Sequence, residues 1–323
     1  MNKTRRRFLT EVTAIAGLVA VDGFGILKSS SALQASSQQS TAEPSRNLKD
    51  YPHITDILTS KNIAIHFPTL ISACAGSKSN YLSQIPFLIE LEVCKMWKES
   101  LFEWDAISNV GAGGLQQLMD FTASGDLGLT IVQSSEIKEL NNAVASYTKL
   151  LKDISAKRQS LDTLVESGSG DLTQATIAKI NFIRTEMADL ETKKDSALKI
   201  LRAKKASYAD KIHSIKPEDL GKFDARFAPE LAIPAGMKYL ADITLECKAY
   251  FGGPIEMNVW RGIAAYNCGL QKTKDWDGMP YIRETVLYTR DILLSLTKMM
   301  ELKYAYSTGD STIIARTKQK FGV

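Results

Sequence analysis

The stretch Lys98–Met119, KESLFEWDAISNVGAGGLQQLM, decides how this chain is read. It closes one apolar run and opens another. The run before it, Ile85 to Trp97, sets Phe87, Leu88, Leu91, Cys94, Lys95 and Lys98 near one helical stripe, which Ile89, Val93, Met96 and Trp97 broaden. A helix this apolar is mostly buried, with Ser83 as its cap and Pro86 in its first turn. Glu99 therefore leaves a buried helix at its C-terminal end. Asn109 and the glycines Gly111, Gly113 and Gly114 make a polar turn, and Gly114-Leu115-Gln116-Gln117-Leu118-Met119 begins the next apolar segment. A carboxyl group among Trp97, Leu101, Phe102 and Met119 loses solvation, so its neutral form is favoured and its pKa rises. That is the state a general acid needs near neutral pH. On spacing alone, a solvated Glu near a helix end is the competing reading.

Three later segments bear on the choice. Asp224-Ala225-Arg226-Phe227-Ala228-Pro229 leads to Gly236-Met237-Lys238-Tyr239-Leu240. An apolar helix from Trp260 ends on Ala265-Tyr266-Asn267, and Pro280 is followed by Glu284-Thr285 and Tyr288. With Glu99-Ser100-Leu101-Phe102, Ala106-Ile107-Ser108 and Gly111 to Met119, these segments resemble, in order, the motifs of the soluble lytic transglycosylase family, peptidoglycan-cleaving enzymes with a goose-type-lysozyme-like fold. The resemblance covers about 85–130 and 224–295.

The resemblance implies that Glu99 protonates the glycosidic oxygen between N-acetylmuramic acid and N-acetylglucosamine. It then takes the proton of the muramoyl C6 hydroxyl, giving a 1,6-anhydro product. It further implies that Ser108 bonds near the acetamido group or the acid, and that Gln117 and Met119 line the saccharide groove. Tyr266 and Asn267 would shape the wall opposite the acid, and Glu284 and Tyr288 would buttress the cleft. Each has a plainer alternative: Ser108 capping its turn, Met119 in the core, Tyr288 in packing. Gln116 replaces the family's Met, Asp120 its Pro, Ala232 its Asn, and Cys268 and Leu270 alter the usual continuation of Ala-Tyr-Asn. Asp105, six residues past Glu99, offers a rival. As a second carboxylate activating water it would make the enzyme a muramidase-type hydrolase.

The formal charge is +4, and the first 35 residues carry +3 of it (Lys3, Arg5, Arg6, Arg7 and Lys28 against Glu11 and Asp22). The remainder is near neutral, which is poor ground for nucleic-acid binding. His53, His66 and His213 are dispersed and no CxxC or HExxH occurs, so neither a metal nor a cofactor is expected. Cys74, Cys94, Cys247 and Cys268 are compatible with up to two disulfides or with buried thiols. Residues 1–35 read as a signal peptide of twin-arginine type, with Arg5-Arg6 before a moderately apolar run. Residues 36–50 read as a flexible linker. Short helices separated by Pro52, Pro68 and Gly76-Ser77 are expected in 51–80.

From Glu136 the pattern changes. Ile137, Leu140, Val144, Tyr147, Leu151, Ile154, Arg158, Leu161 and Val165 step by three and four. After a turn at 166–170, Ile180, Ile183, Met187, Leu190, Lys194, Ala197, Leu201, Lys204 and Tyr208 do the same. Asp171 with Gln174 is the expected cap of the second helix. The fold class is therefore mainly α: a lysozyme-like helical domain (51–133 and 216–306) interrupted by an antiparallel helical-hairpin, coiled-coil insertion (134–215), with a loose tail at 307–323. Expected partners are peptidoglycan glycan strands and, through the hairpin, an envelope or secretion-machine protein. In a second functional reading the domain binds glycan while the hairpin recruits such a machine. The expected location is periplasmic.

Overall fold

The computed structural model describes residues 61–76, 81–167 and 173–322. The expected signal peptide (1–35), the linker (36–50) and the expected cap Asp171 lie outside them. In chain order the helices are α1 (Lys61–Gly76), α2 (Tyr81–Gln84), α3 (Leu88–Ser100), α4 (Ser135–Ser167), α5 (Gln174–Ser214), α6 (Pro217–Phe223), α7 (Pro229–Phe251), α8 (Val259–Cys268), α9 (Leu270–Asp275), α10 (Arg283–Thr308) and α11 (Ser311–Phe321). Among the described residues there is no strand, only isolated β-bridges. The fold is mainly α, as expected. The described residues divide into two compact units, one of those up to 104 with 229–322, the other of those between 105 and 228.

The first unit is built around α3. Its Leu88, Leu91, Val93 and Cys94 are fully enclosed, and it packs against α10, α7 and α1. The helix opens at Leu88, so Pro86 falls in the turn before it rather than in its first turn. It stops at Leu101, which takes the left-handed conformation (φ 54°) while its N–H bonds to Trp97 O at 2.9 Å. Pro68, expected to separate short helices, lies inside α1. A proline there costs about 3 kcal/mol. Buried Ile63, Phe67, Leu70 and Ile71 offset this at about 2 kcal/mol each.

α7 and α8 cross closely. A Cβ on Gly262 would stand 2.1 Å from Thr244 Oγ1 and 3.0 Å from Thr244 Cα, so only glycine permits the approach. Past the crossing, Ile243, Cys247 and Ala265 form a core against which Tyr239, Phe251 and Tyr266 pack. Cys94, Cys247 and Cys268 are free thiols. The expected loose tail at 307–323 contains α11, because Asp310 accepts from Thr312 N (2.7 Å) and Ile313 N (3.3 Å) and so caps it.

The second unit holds the hairpin and the glycine loop. Lys157 Nζ lies 2.7 Å from Glu186 Oε2, and Lys204 Nζ lies 2.6 Å from Glu139 Oε2. Eighteen residues along α4 thus match eighteen back along α5, which fixes an antiparallel register. The helices have 33 and 41 residues, or about 50 and 60 Å at ~1.5 Å per residue. Every expected seam position of α5 is buried or half-buried, from Ile180 to Tyr208. On α4 the seam differs. Leu151 and Val165 are exposed (39% and 54%), while Leu150, Lys157 and Leu164 are half-buried beside Tyr147, Ile154 and Leu161. Thr173, whose Oγ1 accepts from Thr176 N at 3.2 Å, caps α5.

Candidate active site

Glu99 sits in the last turn of α3. Its residue keeps intermediate exposure, yet its carboxyl is crowded by protein. The Tyr288 hydroxyl on α10 donates to Glu99 Oε1 at 2.5 Å. Desolvation pushes the Glu99 pKa from 4.5 up to about 7. The Tyr288 bond and the ammonium of Lys95 oppose that rise, Glu92 adds to it, and Lys98 opposes it weakly. Lys98 is itself held by Asp291 at 2.7 Å. The acid is thus poised near half-ionisation at neutral pH, where one group can both give and take a proton.

Tyr288 is buried, and its phenol is pushed well above the usual range by burial and by Glu99. It is a donor throughout the working pH range. Tyr266, half-buried on α8, has its ring 4.0 Å from Lys95 Nζ and 5.5 Å from the Tyr239 ring. Its phenol is raised by burial and then by Glu99. Asn267 is exposed, and its Oδ1 accepts from Thr285 Oγ1 at 2.7 Å, joining the end of α8 to the start of α10. Glu284 is exposed in the first turn of α10, where a carboxylate meets the positive end of the helix dipole. Glu99, Tyr266 and Tyr288 are therefore brought together. Glu284 faces solvent.

Ser108, Gln117 and Met119 belong to the second unit. Ser108 Oγ accepts from Ala112 N (2.9 Å) and Val110 N (3.2 Å), so it caps the turn. Gln117 adopts φ 47° and its Nε2 donates to Ala106 O (3.0 Å) and Gly114 O (2.9 Å), which ties the loop shut. Met119 is half-buried. Asp105 Oδ2 lies 2.8 Å from His213 Nε2 on α5.

A buried clamp that motif reading passed over holds this loop. Tyr208 donates to Asp224 Oδ2 (2.6 Å), and Asp224 pairs with Arg226 (2.7 Å). Arg226 Nη1 donates in turn to Gly111 O (3.1 Å) and Leu118 O (3.4 Å). A Cβ on Gly114 (φ 73°) would fall 1.8 Å from Arg226 O. The signal for it was the Asp224–Arg226 spacing. Lys95 and Glu92 were passed over as well, although both charges lie in an apolar helix.

The described residues thus place a carboxyl near neutrality at the end of a buried helix in a mainly α fold, which is what a general acid requires. A family model described as Transglycosylase SLT domain matches residues 203–288. The match supports the soluble lytic transglycosylase family, and with it a peptidoglycan substrate, cleavage of the lytic-transglycosylase type in general and an extracytoplasmic place of action. It takes in Tyr266, Asn267, Glu284 and Tyr288 and does not extend to Glu99. No curated protein and no solved structure matches the chain. No described helix is long and apolar enough to cross a membrane.

Proposed function

We propose that the protein is a peptidoglycan lytic transglycosylase that cleaves the β-1,4 bond between N-acetylmuramic acid and N-acetylglucosamine, with Glu99 as acid and then base. The observation that carries this reading is the Glu99 carboxyl, raised to about 7 and steadied by Tyr288. Neutral Glu99 gives its proton to the glycosidic oxygen as the C1–O bond breaks. The acetamido oxygen of the muramoyl residue supports the cationic centre. The C6 hydroxyl then attacks C1 and passes its proton to the Glu99 carboxylate. The acid is restored and no water is consumed, so one carboxylate suffices. Tyr288 holds Oε1, which leaves Oε2 as the proton carrier. Tyr266 and Asn267 shape the sugar wall beside the acid. Within the glycine loop, Ser108 and Gln117 hold the turn. Asp105 is engaged by His213, which argues against its use as a hydrolytic base. The twin-arginine-type leader at 1–35 directs the protein to the periplasm.

The test is mass spectrometry of purified peptidoglycan digested by the protein and by Glu99→Gln. Anhydromuropeptides from the first and none from the second are expected. Reducing-end products would move the assignment to a muramidase and to Asp105.

One observation favours a recruiting role for the hairpin beside catalysis. Phe182 and Ile200, 65% and 57% exposed, stand eighteen residues apart on α5. That is five turns, so they share one face. Removing 148–195 and bridging Tyr147 to Ser196 keeps the register and leaves Tyr208 in place. If the arm serves only to recruit an envelope or secretion-machine protein, glycan cleavage in vitro survives while the cellular role is lost.

A further inference from the structure

α3 buries three acidic or basic side chains besides the acid: Glu90, Glu92 and Lys95. Glu90 is answered by Lys303 of α10 at 2.5 Å. Lys95 stands apart because of where its charge is kept. Its side chain is 1% exposed. Nζ lies 3.1 Å from Glu92 Oε1, 3.5 Å from Gly236 O on α7, and 4.0 Å from the centre of the Tyr266 ring on α8. Lys95 precedes Glu99 by four residues and Glu92 precedes Lys95 by three, so the three charges follow one another along a single face. Replacing a buried ion pair by well-packed apolar side chains is often neutral or stabilising. Packing alone therefore gives no reason for an ammonium here.

We propose that Lys95 is a positioning residue for the proposed reaction: its ammonium, fixed by Glu92 and the Tyr266 ring, supports Glu99 as a carboxylate between donating and regaining its proton. The assignment rests on the reading of Glu99 as the acid. The groups facing Glu99 are Tyr288 from α10, Tyr266 from α8, and Glu92, Lys95 and Lys98 from α3 itself. Both phenols stay neutral. Lys98 is 31% exposed and shares its charge with Asp291, so water and a counter-charge weaken its field. Lys95 has no such solvent screening. Glu92 works against it, and Lys95 is the stronger of the two at Glu99. Without Lys95 the acid would be held more firmly neutral. It would then release its proton less readily and the two half-reactions would lose their balance.

The test reads the ionisation midpoint of Glu99 in the folded protein without substrate, as the pH at which the stability gap between a protein and its Glu99→Gln counterpart stops growing. It compares the full chain with K95M/E92Q, which removes the pair without stranding a buried charge, and with K95Q/E92Q, which keeps polar contacts in case the first does not fold. Since Lys95 outweighs Glu92 at Glu99, either variant should raise the midpoint, by less than the loss of Lys95 alone: about half a pH unit, about threefold in the ionisation constant. The alkaline limb of the rate profile should move with it. A folded variant whose midpoint stays at the wild-type value overturns the proposal, since a merely structural lysine would alter stability and leave the midpoint alone. If the midpoint moves but the wild-type protein releases no muropeptides, the proposed activity fails and the role of Lys95 at Glu99 stands.

Discussion

Glu99→Gln should make the protein more stable, and only above a defined pH. The amide is isosteric and its Oε1 still accepts the Tyr288 hydroxyl, so the substitution removes little except ionisation. The folded pKa is raised from 4.5 to about 7 by burial. Between those values the unfolded chain has already lost the proton that the folded chain retains. The folded state then binds more protons, so stability falls as pH rises through the interval. Each pH unit costs about 1.4 kcal/mol, and the full interval amounts to about 3 kcal/mol. Urea unfolding of both proteins from about pH 4 to pH 9 measures the difference. The curves should nearly coincide below 4.5, separate between 4.5 and about 7, and then run parallel with the variant about 3 kcal/mol more stable. Parallel curves throughout, or a wild-type protein that gains on the variant with rising pH, would falsify the assignment of a desolvated acid at this position.

Tyr288→Phe removes a bond that favours the carboxylate, so the Glu99 ionisation should rise by about half a unit to one unit. The alkaline limb of a pH–rate profile reports it, and a downward shift would contradict the geometry. Gly262→Ala drives a methyl into Thr244 and should destabilise by about 1–3 kcal/mol, measured by thermal unfolding; an unchanged Tm would mean that α7 and α8 do not approach as described. Gly114→Ala meets the Arg226 carbonyl and a positive φ together. It should cost about 3 kcal/mol or more and expose the loop to proteases, whereas wild-type resistance would count against the clamp.

The helix that delivers Glu99 was legible because its apolar residues crowd one broad stripe, and α5 because its seam residues admit a single register. α4 was not, for an identifiable reason. Leu150-Leu151 and Leu164-Val165 are adjacent apolar pairs and Lys157-Arg158 an adjacent basic pair, so period alone fits two seams equally well. The partner resolves it, since Glu186 on α5 takes Lys157. The tail at 307–323 misled because a polar helix needs only its cap to be marked, and Asp310 was not weighed. At the candidate site, motif order named Glu99 and Tyr288, which the structure joins by a hydrogen bond. The exposure of Glu284 was not legible, since the same motif does not say that its side chain points to water. Lys95 and the Tyr208–Asp224–Arg226 clamp left local signs, charges in an apolar helix and the Asp224–Arg226 spacing, but their contacts with Tyr266, Gly111 and Leu118 span long sequence separations that no local pattern encodes.

The matched eighteen-residue intervals of the hairpin have a bearing on how the chain can change over time. An insertion in one helix alone would slide every later rung out of step, separating Lys157 from Glu186 or Lys204 from Glu139. Length can therefore drift only in paired increments, near seven residues on each side, that return the seam to its starting face. The arm is a ruler that can be lengthened at its middle while the glycine loop at its foot goes unaltered.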